Sequence, residues 1–186
     1  MNININEIKN GMTIIIDGKL CLIEEFQHVK PGKGSAFMKM KLRNLRTGSL
    51  VEETYNTNIK IERARVEKSK MNYLYSQGDS YVFMNNETYE QLEIPESKLV
   101  DQIKFLKEGM DIDISTYEGE IIGITLPEKV EYVVAETTEA VKGNTTNNAQ
   151  KDATLENGLV VKVPLFITEG ERIIVSTEDG KYSSRA

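Results

Sequence analysis

The sequence of 186 residues has no tryptophan, a single cysteine (Cys21) and a single histidine (His28). One cysteine excludes a disulfide framework and a zinc site built on cysteines, and it suits a reducing cytosol. Cys21 lies in the apolar run at residues 20–23, which predicts a buried small hydrophobe. With one histidine and one cysteine the chain offers no convergent catalytic set. We therefore expect no catalytic residue, no metal site and no cofactor.

Long apolar segments are also missing. No apolar run exceeds five residues, whereas a membrane helix needs ~20. The first ten residues have neither a basic region nor a long apolar core, so they do not resemble a signal peptide. We expect a cytoplasmic protein without a membrane partner.

Acidic residues are absent from one part of an otherwise acidic chain. The formal net charge is −6, yet residues 26–51 contain no acid and six bases, so the remaining residues sum to −12. The bases are Lys30, Lys33, Lys39, Lys41, Arg43 and Arg46. A cationic segment on an acidic body indicates a nucleic-acid contact made by one end of the molecule.

The centre of this basic segment is Pro31-Gly32-Lys33-Gly34. Proline presets φ, and Gly32 can adopt the positive φ that position i+2 of a type II turn requires. This pattern predicts Lys33 at the exposed tip of a β-hairpin. An ordinary surface turn with a solvated lysine has the same composition and remains an alternative. A phosphate-binding P-loop is excluded because Gly34 separates Lys33 from the following serine.

Hydrophobic alternation predicts strands around the tip. Met38, Met40 and Leu42 alternate with three of the bases, so the apolar side chains should face a core and the cations the opposite face. Asp17-Gly18 is a strong hairpin signal further upstream. Residues 1–64 carry ten bases and seven acids, a net charge of +3. They are predicted to form a small SH3-like barrel.

Residues 65–127 carry a net charge of −6 and are predicted to contain strands at 71–75 and 81–84. The aromatic residues of these strands fit either a base-stacking platform or cross-strand packing pairs, and the acidic surroundings favour packing. One helix is predicted over residues 97–108: Ser97 would cap it, Leu99, Ile103 and Leu106 would form its apolar stripe, and Gly109 would end it.

Residues 128–186 carry a net charge of −3 and repeat part of the preceding segment. The stretch at residues 109–119 matches the stretch at 170–180 with an offset of 61 residues, which is close to the length of one small barrel. Residues 135–154 are rich in Thr, Asn and Glu, and they fit either a flexible linker or a long barrel loop that faces a partner.

Two spaced motifs and the C-terminus resemble bacterial elongation factor P over the whole chain. They are the tip Pro31-Gly32-Lys33-Gly34-Ser35-Ala36-Phe37, the pattern Lys151-x-Ala153-x4-Gly158-x2-Val161-x-Val163-Pro164-x2-Ile167-x2-Gly170, and the ending Gly180-x-Tyr182-x2-Arg185. The resemblance implies an all-β protein of three small β-barrels in an L-shaped, tRNA-like arrangement with one short helix. A KOW/SH3-like domain at 1–64 would precede OB-fold domains at 65–127 and 128–186.

The resemblance also implies a function in translation. Such a factor, acting as a monomer, binds the ribosome between the P and E sites through 23S and 16S rRNA and ribosomal proteins. There it lies beside the P-site peptidyl-tRNA, stimulates peptide-bond formation and relieves stalling at consecutive prolines. It is not an enzyme itself. Lys33 corresponds to the lysine that a modifying enzyme extends and that reaches the CCA end of the tRNA.

Further site residues follow from the same resemblance. Pro31, Gly32 and Gly34 would shape the hairpin, and five bases would contact tRNA or rRNA: Lys30, Lys39, Lys41, Arg43 and Arg46. Gly143, Asn144 and Thr145 correspond to a loop linked to the mRNA codon in the E site, where Asn144 replaces an aspartate and keeps a carbonyl acceptor. Tyr182 and Arg185 would contact the small subunit or tRNA.

Two other classes of function remain as alternatives. A KOW/OB RNA-binding module that acts in transcription or RNA metabolism would explain the basic segment but not the C-terminal motif. A β-barrel enzyme is disfavoured by the shortage of catalytic residue types.

Overall fold

The computed structural model describes residues 1–140 and 149–186. These residues contain sixteen strands in three sheets, three short 3₁₀ turns and no α-helix. The prediction of a mainly β protein is confirmed. No helix among the described residues has the length and apolarity to cross a bilayer.

The chain divides into two compact units. The first unit comprises residues 1–68 and 115–123, and the second comprises residues 69–114 and 124–186. The first sheet has the order β1-β6-β2-β3-β4-β5. Its strands are β1 (Asn2–Asn4), β2 (Thr13–Ile16), β3 (Lys19–Val29), β4 (Phe37–Asn44), β5 (Leu50–Asn56) and β6 (Lys60–Arg63), and a 3₁₀ turn at Ile5–Glu7 follows β1.

The other two sheets have five strands each. One has the order β11-β10-β7-β8-β9, formed by β7 (Glu67–Gln77), β8 (Ser80–Asn85), β9 (Gln91–Pro95), β10 (Asp111–Tyr117) and β11 (Glu120–Thr125). The other has the order β14-β13-β12-β15-β16, formed by β12 (Lys129–Thr137), β13 (Gln150–Leu155), β14 (Val160–Pro164), β15 (Arg172–Ser176) and β16 (Tyr182–Arg185).

The core of the first unit confirms the predicted alternation in β4. Met38, Met40 and Leu42 are at most 2% exposed and pack with isoleucines of the neighbouring strands. Cys21 lies in the same cluster, and burial raises the pKa of its thiol. The hairpin predicted at Asp17-Gly18 is also confirmed, because Ile16 pairs directly with Lys19. Both turn residues have positive φ, +50° and +73°, as a two-residue hairpin turn requires.

The helix predicted over residues 97–108 is wrong. The segment forms two separate 3₁₀ turns, Glu96–Lys98 and Ile103–Phe105. Ser97 lies inside the first turn and does not cap it, and Leu99 interrupts the turns with φ −124°. Most hydrogen bonds of the segment span three residues, such as the one that the Leu106 N–H donates to the Ile103 carbonyl, and the Ile103 N–H donates to the Leu99 carbonyl four residues earlier. A helix of this length is marginal unless tertiary contacts favour it.

Tertiary hydrogen bonds hold the second turn in place. The Tyr132 hydroxyl on β12 donates a hydrogen bond to the Phe105 carbonyl at 2.5 Å. The Asn157 side-chain amide donates to the carbonyls of Lys104 (3.0 Å) and Leu106 (3.1 Å). Donors from β12 and from the connection between β13 and β14 therefore satisfy the carbonyl oxygens of the second turn from outside the segment. The local sequence of residues 97–108 could not predict these donors, because Tyr132 and Asn157 lie further along the chain.

We expect Tyr132→Phe to destabilise the protein by about 1–3 kcal/mol, because the Phe105 carbonyl would stay buried without its donor. Urea titration followed by circular dichroism measures the change. Tyr89→Phe is the matched control: Tyr89 is 74% exposed, and its substitution should change stability by less than about 0.5 kcal/mol. Equal unfolding midpoints for Tyr132→Phe and the wild type would contradict this assignment.

Candidate nucleic-acid interface

The basic segment forms the hairpin of β3 and β4. The two strands pair from Cys21 with Asn44 to Val29 with Phe37, with one bulge between Ile23 and Glu25. The pairing leaves a loop of seven residues, 30–36, between the strands. Lys33 lies in the middle of this loop, and residues 30–35 are all exposed.

The predicted type II turn with Gly32 at position i+2 is wrong. Gly32 has no positive φ, whereas Gly34 has φ +106°. A loop of seven residues closes the hairpin without a tight turn at Pro31-Gly32, so the left-handed residue falls after Lys33. A Cβ atom built on Gly34 meets nothing within 4 Å. The backbone conformation, and not a shortage of space, therefore favours glycine at this position.

Lys30 and Lys33 carry the unpaired charge of the hairpin loop. Both side chains are exposed, and neither forms an ion pair within residues 1–140 and 149–186. His28 is also exposed and pairs across the hairpin with Met38. The loop and the adjoining end of β3 thus present two cations and an imidazole to solvent at one end of the sheet.

Bases further from the loop have acidic partners that the sequence analysis missed. Lys39 forms an ion pair with Glu52 at 2.6 Å, and Arg43 pairs with Glu24 at 2.5 Å. The segment is free of acids along the chain, but strand pairing brings carboxylates from β3 and β5 beside it. The positive charge of the hairpin is consequently less separated from negative charge than the sequence indicates. The only signal was a pair of adjacent glutamates on each neighbouring strand.

Arg46 has an acidic partner, whereas Lys41 forms no ion pair among the described residues. Arg46 donates to both carboxylate oxygens of Glu120 at 3.1–3.3 Å, and this hydrogen bonding raises the pKa of the guanidinium. Lys41 stands opposite Glu25 on β3 and Glu52 on β5, but its ammonium forms no ion pair in the described part of the chain. Unpaired positive charge therefore remains at Lys30 and Lys33, whereas the carboxylates of Glu25 and Glu52 partly offset the charge of Lys41.

The Lys39–Glu52 pair has an electrostatic consequence. The hydrogen bond from Lys39, together with its charge, lowers the pKa of the Glu52 carboxyl. Glu52 is therefore ionised at neutral pH and offsets the charge of Lys39. A ligand that uses Lys39 must share the lysine with this carboxylate or displace it.

The remaining predicted site residues lie in the C-terminal sheet or outside the described residues. Tyr182 pairs with Val175 at the start of β16. Arg185 forms an ion pair with Glu171 at 3.0 Å, and its guanidinium lies 4.5 Å from the ring centre of Phe166. The sequence analysis did not single out Phe166, whose ring is 57% exposed. Gly143, Asn144 and Thr145 lie outside the described residues.

Within the same described ranges, no group of three or more His, Cys, Asp or Glu side chains is arranged to hold a metal ion. The hairpin is a surface of amines, amides and carboxylates, suited to ionic contacts and hydrogen bonds.

Solved structures of translation factors are similar to this chain. The eukaryotic translation initiation factor 5A from Methanococcus jannaschii is 28% identical and matches 67% of this chain and 92% of its own, with a TM-score of 0.56. A translation initiation factor eif-5a family protein from Naegleria fowleri ATCC 30863 matches 68% of this chain and 98% of its own, with a TM-score of 0.52. At 19% identity the second likeness concerns the fold alone.

Three family models match consecutive parts of the chain. The elongation factor P (EF-P) KOW-like domain matches residues 4–61, the elongation factor P OB domain matches residues 66–124, and the elongation factor P C-terminal model matches residues 130–185. The domain boundaries at residues 64/65 and 127/128 stay a prediction. The matches agree with the resemblance carried by the lysine tip and the C-terminal motif, and together they cover nearly the whole sequence: the chain belongs to the elongation factor P family of translation factors.

Proposed function

We propose that this translation factor binds the ribosome between the P and E sites beside peptidyl-tRNA, and that Lys33 acts at the CCA end of the tRNA. There the factor stimulates peptide-bond formation and relieves stalling at consecutive prolines. One observation carries the proposal: Lys33 lies exposed in the middle of a loop of seven residues. No side chain in the described ranges forms an ion pair with it.

The role of Lys33 in this proposal is positional. Its amine extends from the end of a two-stranded ladder and lies beside Gly34, so no neighbouring side chain competes for the same space. Contact with the acceptor end holds the prolyl ester in a reactive geometry, and such alignment supplies a large entropic contribution to a bimolecular step. The ribosome performs the chemistry, and the factor itself is not an enzyme.

A modification of Lys33 fits the same geometry. The exposed side chain is accessible to a lysine-modifying enzyme, and an added amine- or hydroxyl-bearing group lengthens its reach. Each added methylene or amide unit extends the side chain without a change in the hairpin. The modified lysine then inserts further towards the CCA end than the unmodified residue.

The bases of the hairpin serve as phosphate contacts on tRNA or rRNA, which give affinity and register without reading sequence. Lys30 is the strongest candidate because it has no carboxylate partner within residues 1–140 and 149–186. Lys41 forms no ion pair there, but it lies opposite the carboxylates of Glu25 and Glu52. Lys39, Arg43 and Arg46 also belong to this set, but each must exchange or share an existing ion pair.

The C-terminal part of the chain supplies the remaining contacts in this proposal. Gly143, Asn144 and Thr145 contact the mRNA codon in the E site, where the Asn144 amide offers both a donor and an acceptor. Tyr182 and Arg185 contact the small subunit or tRNA. Glu171 and the Phe166 ring hold the Arg185 guanidinium in one orientation.

We expect Lys33→Ala to reduce the peptide yield from a Pro-Pro-Pro template by about tenfold or more, because the aligning contact is lost. Reconstituted translation with native, modified factor measures the yield. A template without consecutive prolines should give the same yield with and without the substitution. Lys60→Ala, an exposed lysine on β6 of the same unit, is the matched control. Wild-type yield from Lys33→Ala on the proline template would remove Lys33 from the mechanism.

Salt dependence separates the free bases from the paired ones. We expect Lys30→Ala to reduce the slope of log affinity against log salt by about one, since it removes one phosphate contact. Lys41→Ala should reduce the slope less, because the carboxylates of Glu25 and Glu52 partly offset its charge. Arg43→Ala should change the slope less, because the Glu24 carboxylate already neutralises this guanidinium. Co-sedimentation with ribosomes across a salt series measures the slope. Equal slopes for all three variants would contradict the distinction.

A further inference from the structure

A shallow cavity of about 410 Å³ lies on the face of the β3–β4 hairpin that carries the alternating bases. Its volume falls within the ~300–1,000 Å³ range of small-ligand sites. We call it the hairpin cavity, and the side chains that matter for its chemistry are Asn10, Glu25, Gln27, Lys39, Lys41 and Glu52. All six belong to the first unit.

Strand register brings these side chains together. Glu25 pairs with Lys41, and Gln27 pairs with Lys39, so the two rungs lie on the same face with one rung between them. Glu52 stands opposite Lys41 on the next strand, and its carboxylate reaches Lys39. The cavity therefore alternates donors with acceptors over three adjacent strands.

The charges of the hairpin cavity cancel. Two ammonium groups, Lys39 and Lys41, face two carboxylates, Glu25 and Glu52, and the contact with Lys39 favours the ionised form of Glu52. The release of counterions drives the binding of cationic surfaces to phosphates. A surface without net charge gains little from this release. The ligand of this cavity should therefore offer hydroxyl groups as well as a charge.

Three of the lining side chains are available for such hydroxyls. Asn10, Glu25 and Gln27 are exposed, and their side chains make no hydrogen bond within residues 1–140 and 149–186. An amide donates and accepts, and a carboxylate accepts. A ribose 2′-hydroxyl has the complementary pair of functions, because it is both a donor and an acceptor.

We propose that the hairpin cavity binds one ribonucleotide unit of an RNA backbone and distinguishes RNA from DNA. Lys41 contacts the phosphate, and Gln27 and Glu25 exchange hydrogen bonds with the ribose 2′-hydroxyl. The inference rests on the proposed function, since it assigns a sugar-reading site to the hairpin that approaches tRNA. It differs from the phosphate contacts above because its selectivity comes from hydroxyl recognition.

The test compares two hairpin oligonucleotides of the same sequence, each with twelve base pairs. One is RNA and the other is DNA. Fluorescence anisotropy with full-length protein, extended to millimolar concentration at low salt, gives both dissociation constants. We expect the wild type to bind the RNA about three- to tenfold more tightly than the DNA, which corresponds to one or two hydroxyl contacts. An RNA with 2′-O-methyl groups should bind as weakly as the DNA, because its oxygen cannot donate.

Substitutions locate the selectivity. Gln27→Ala should bring the RNA and DNA constants together while leaving the DNA constant unchanged. Glu25→Gln should also narrow the difference between the two constants, and it should tighten DNA binding because it removes a negative charge beside Lys41. Lys41→Ala should weaken both by the same factor. Gln91→Ala, an exposed glutamine at the start of β9, is the matched control and should keep the wild-type preference. Circular dichroism melting verifies that each variant is folded.

Several outcomes would overturn the inference. Equal wild-type affinities for RNA and DNA, the absence of binding to either, or an RNA preference that survives both Gln27→Ala and Glu25→Gln would each exclude a ribose site in this cavity. The first two results would be expected if the cavity held an extended peptide instead. Each leaves the role of Lys33 untouched, because that role depends on peptide yield from the proline template.

The same variants also have a distinct effect in translation. If the cavity holds an RNA nucleotide, Gln27→Ala should raise the factor concentration needed for half-maximal yield by about three- to tenfold and leave the maximal yield unchanged. Lys33→Ala should instead lower the maximal yield. A Gln27→Ala variant with wild-type half-saturation would contradict the inference, and a wild-type maximum with Lys33→Ala would contradict the proposed function.

Discussion

The register between β3 and β4 is the constraint on which the candidate site depends. Met40 pairs with Phe26, and this alignment turns Met38, Met40 and Leu42 into the core while Lys39, Lys41 and Arg43 face outwards. A slip of one residue would exchange the two faces, burying three cations and exposing three apolar side chains. The apolar burial that stabilises the barrel therefore also fixes the position of the bases and the length of the loop that carries Lys33.

The same register controls how much of the positive charge is free. Carboxylates on β3 and β5 stand beside the bases of β4, so Lys39 and Arg43 are compensated while Lys30 and Lys33 are not. Exposed pairs of this kind contribute little to stability. Their main effect is on the surface potential, which is close to neutral along the strands and positive at the loop. The electrostatic attraction for a polyanion is concentrated at the end of the hairpin, beside Lys33.

The features that the sequence predicted correctly are those set by neighbours along the chain. Alternation in β4, the turn at Asp17-Gly18 and the burial of Cys21 depend on residues within a few positions of each other.

The predictions that were wrong depend on partners that are remote along the chain. The segment at 97–108 forms two 3₁₀ turns, and the carbonyls of the second turn accept hydrogen bonds from Tyr132 and Asn157. The acids that neutralise Lys39 and Arg46 come from Glu52 and Glu120. No local pattern encodes these pairings. The sequence predicted positive φ at Gly32, but Gly34 has it instead. The position of this residue depends on the loop length, which the strand register determines.

Partial neutralisation of the hairpin has a physical rationale for a factor that must find one place on a large RNA surface. A hairpin with six free cations would bind any duplex, because phosphate contacts carry no sequence information. Ion pairs on the strands reduce this non-selective affinity, and they leave hydrogen-bonding groups such as Gln27 and Glu25 in a neutral setting where hydroxyl recognition can compete with phosphate attraction. Free charge at the loop still steers the approach. In this proposal, selectivity is a consequence of acids placed on strands that flank the basic one, and it requires the fold to bring them there.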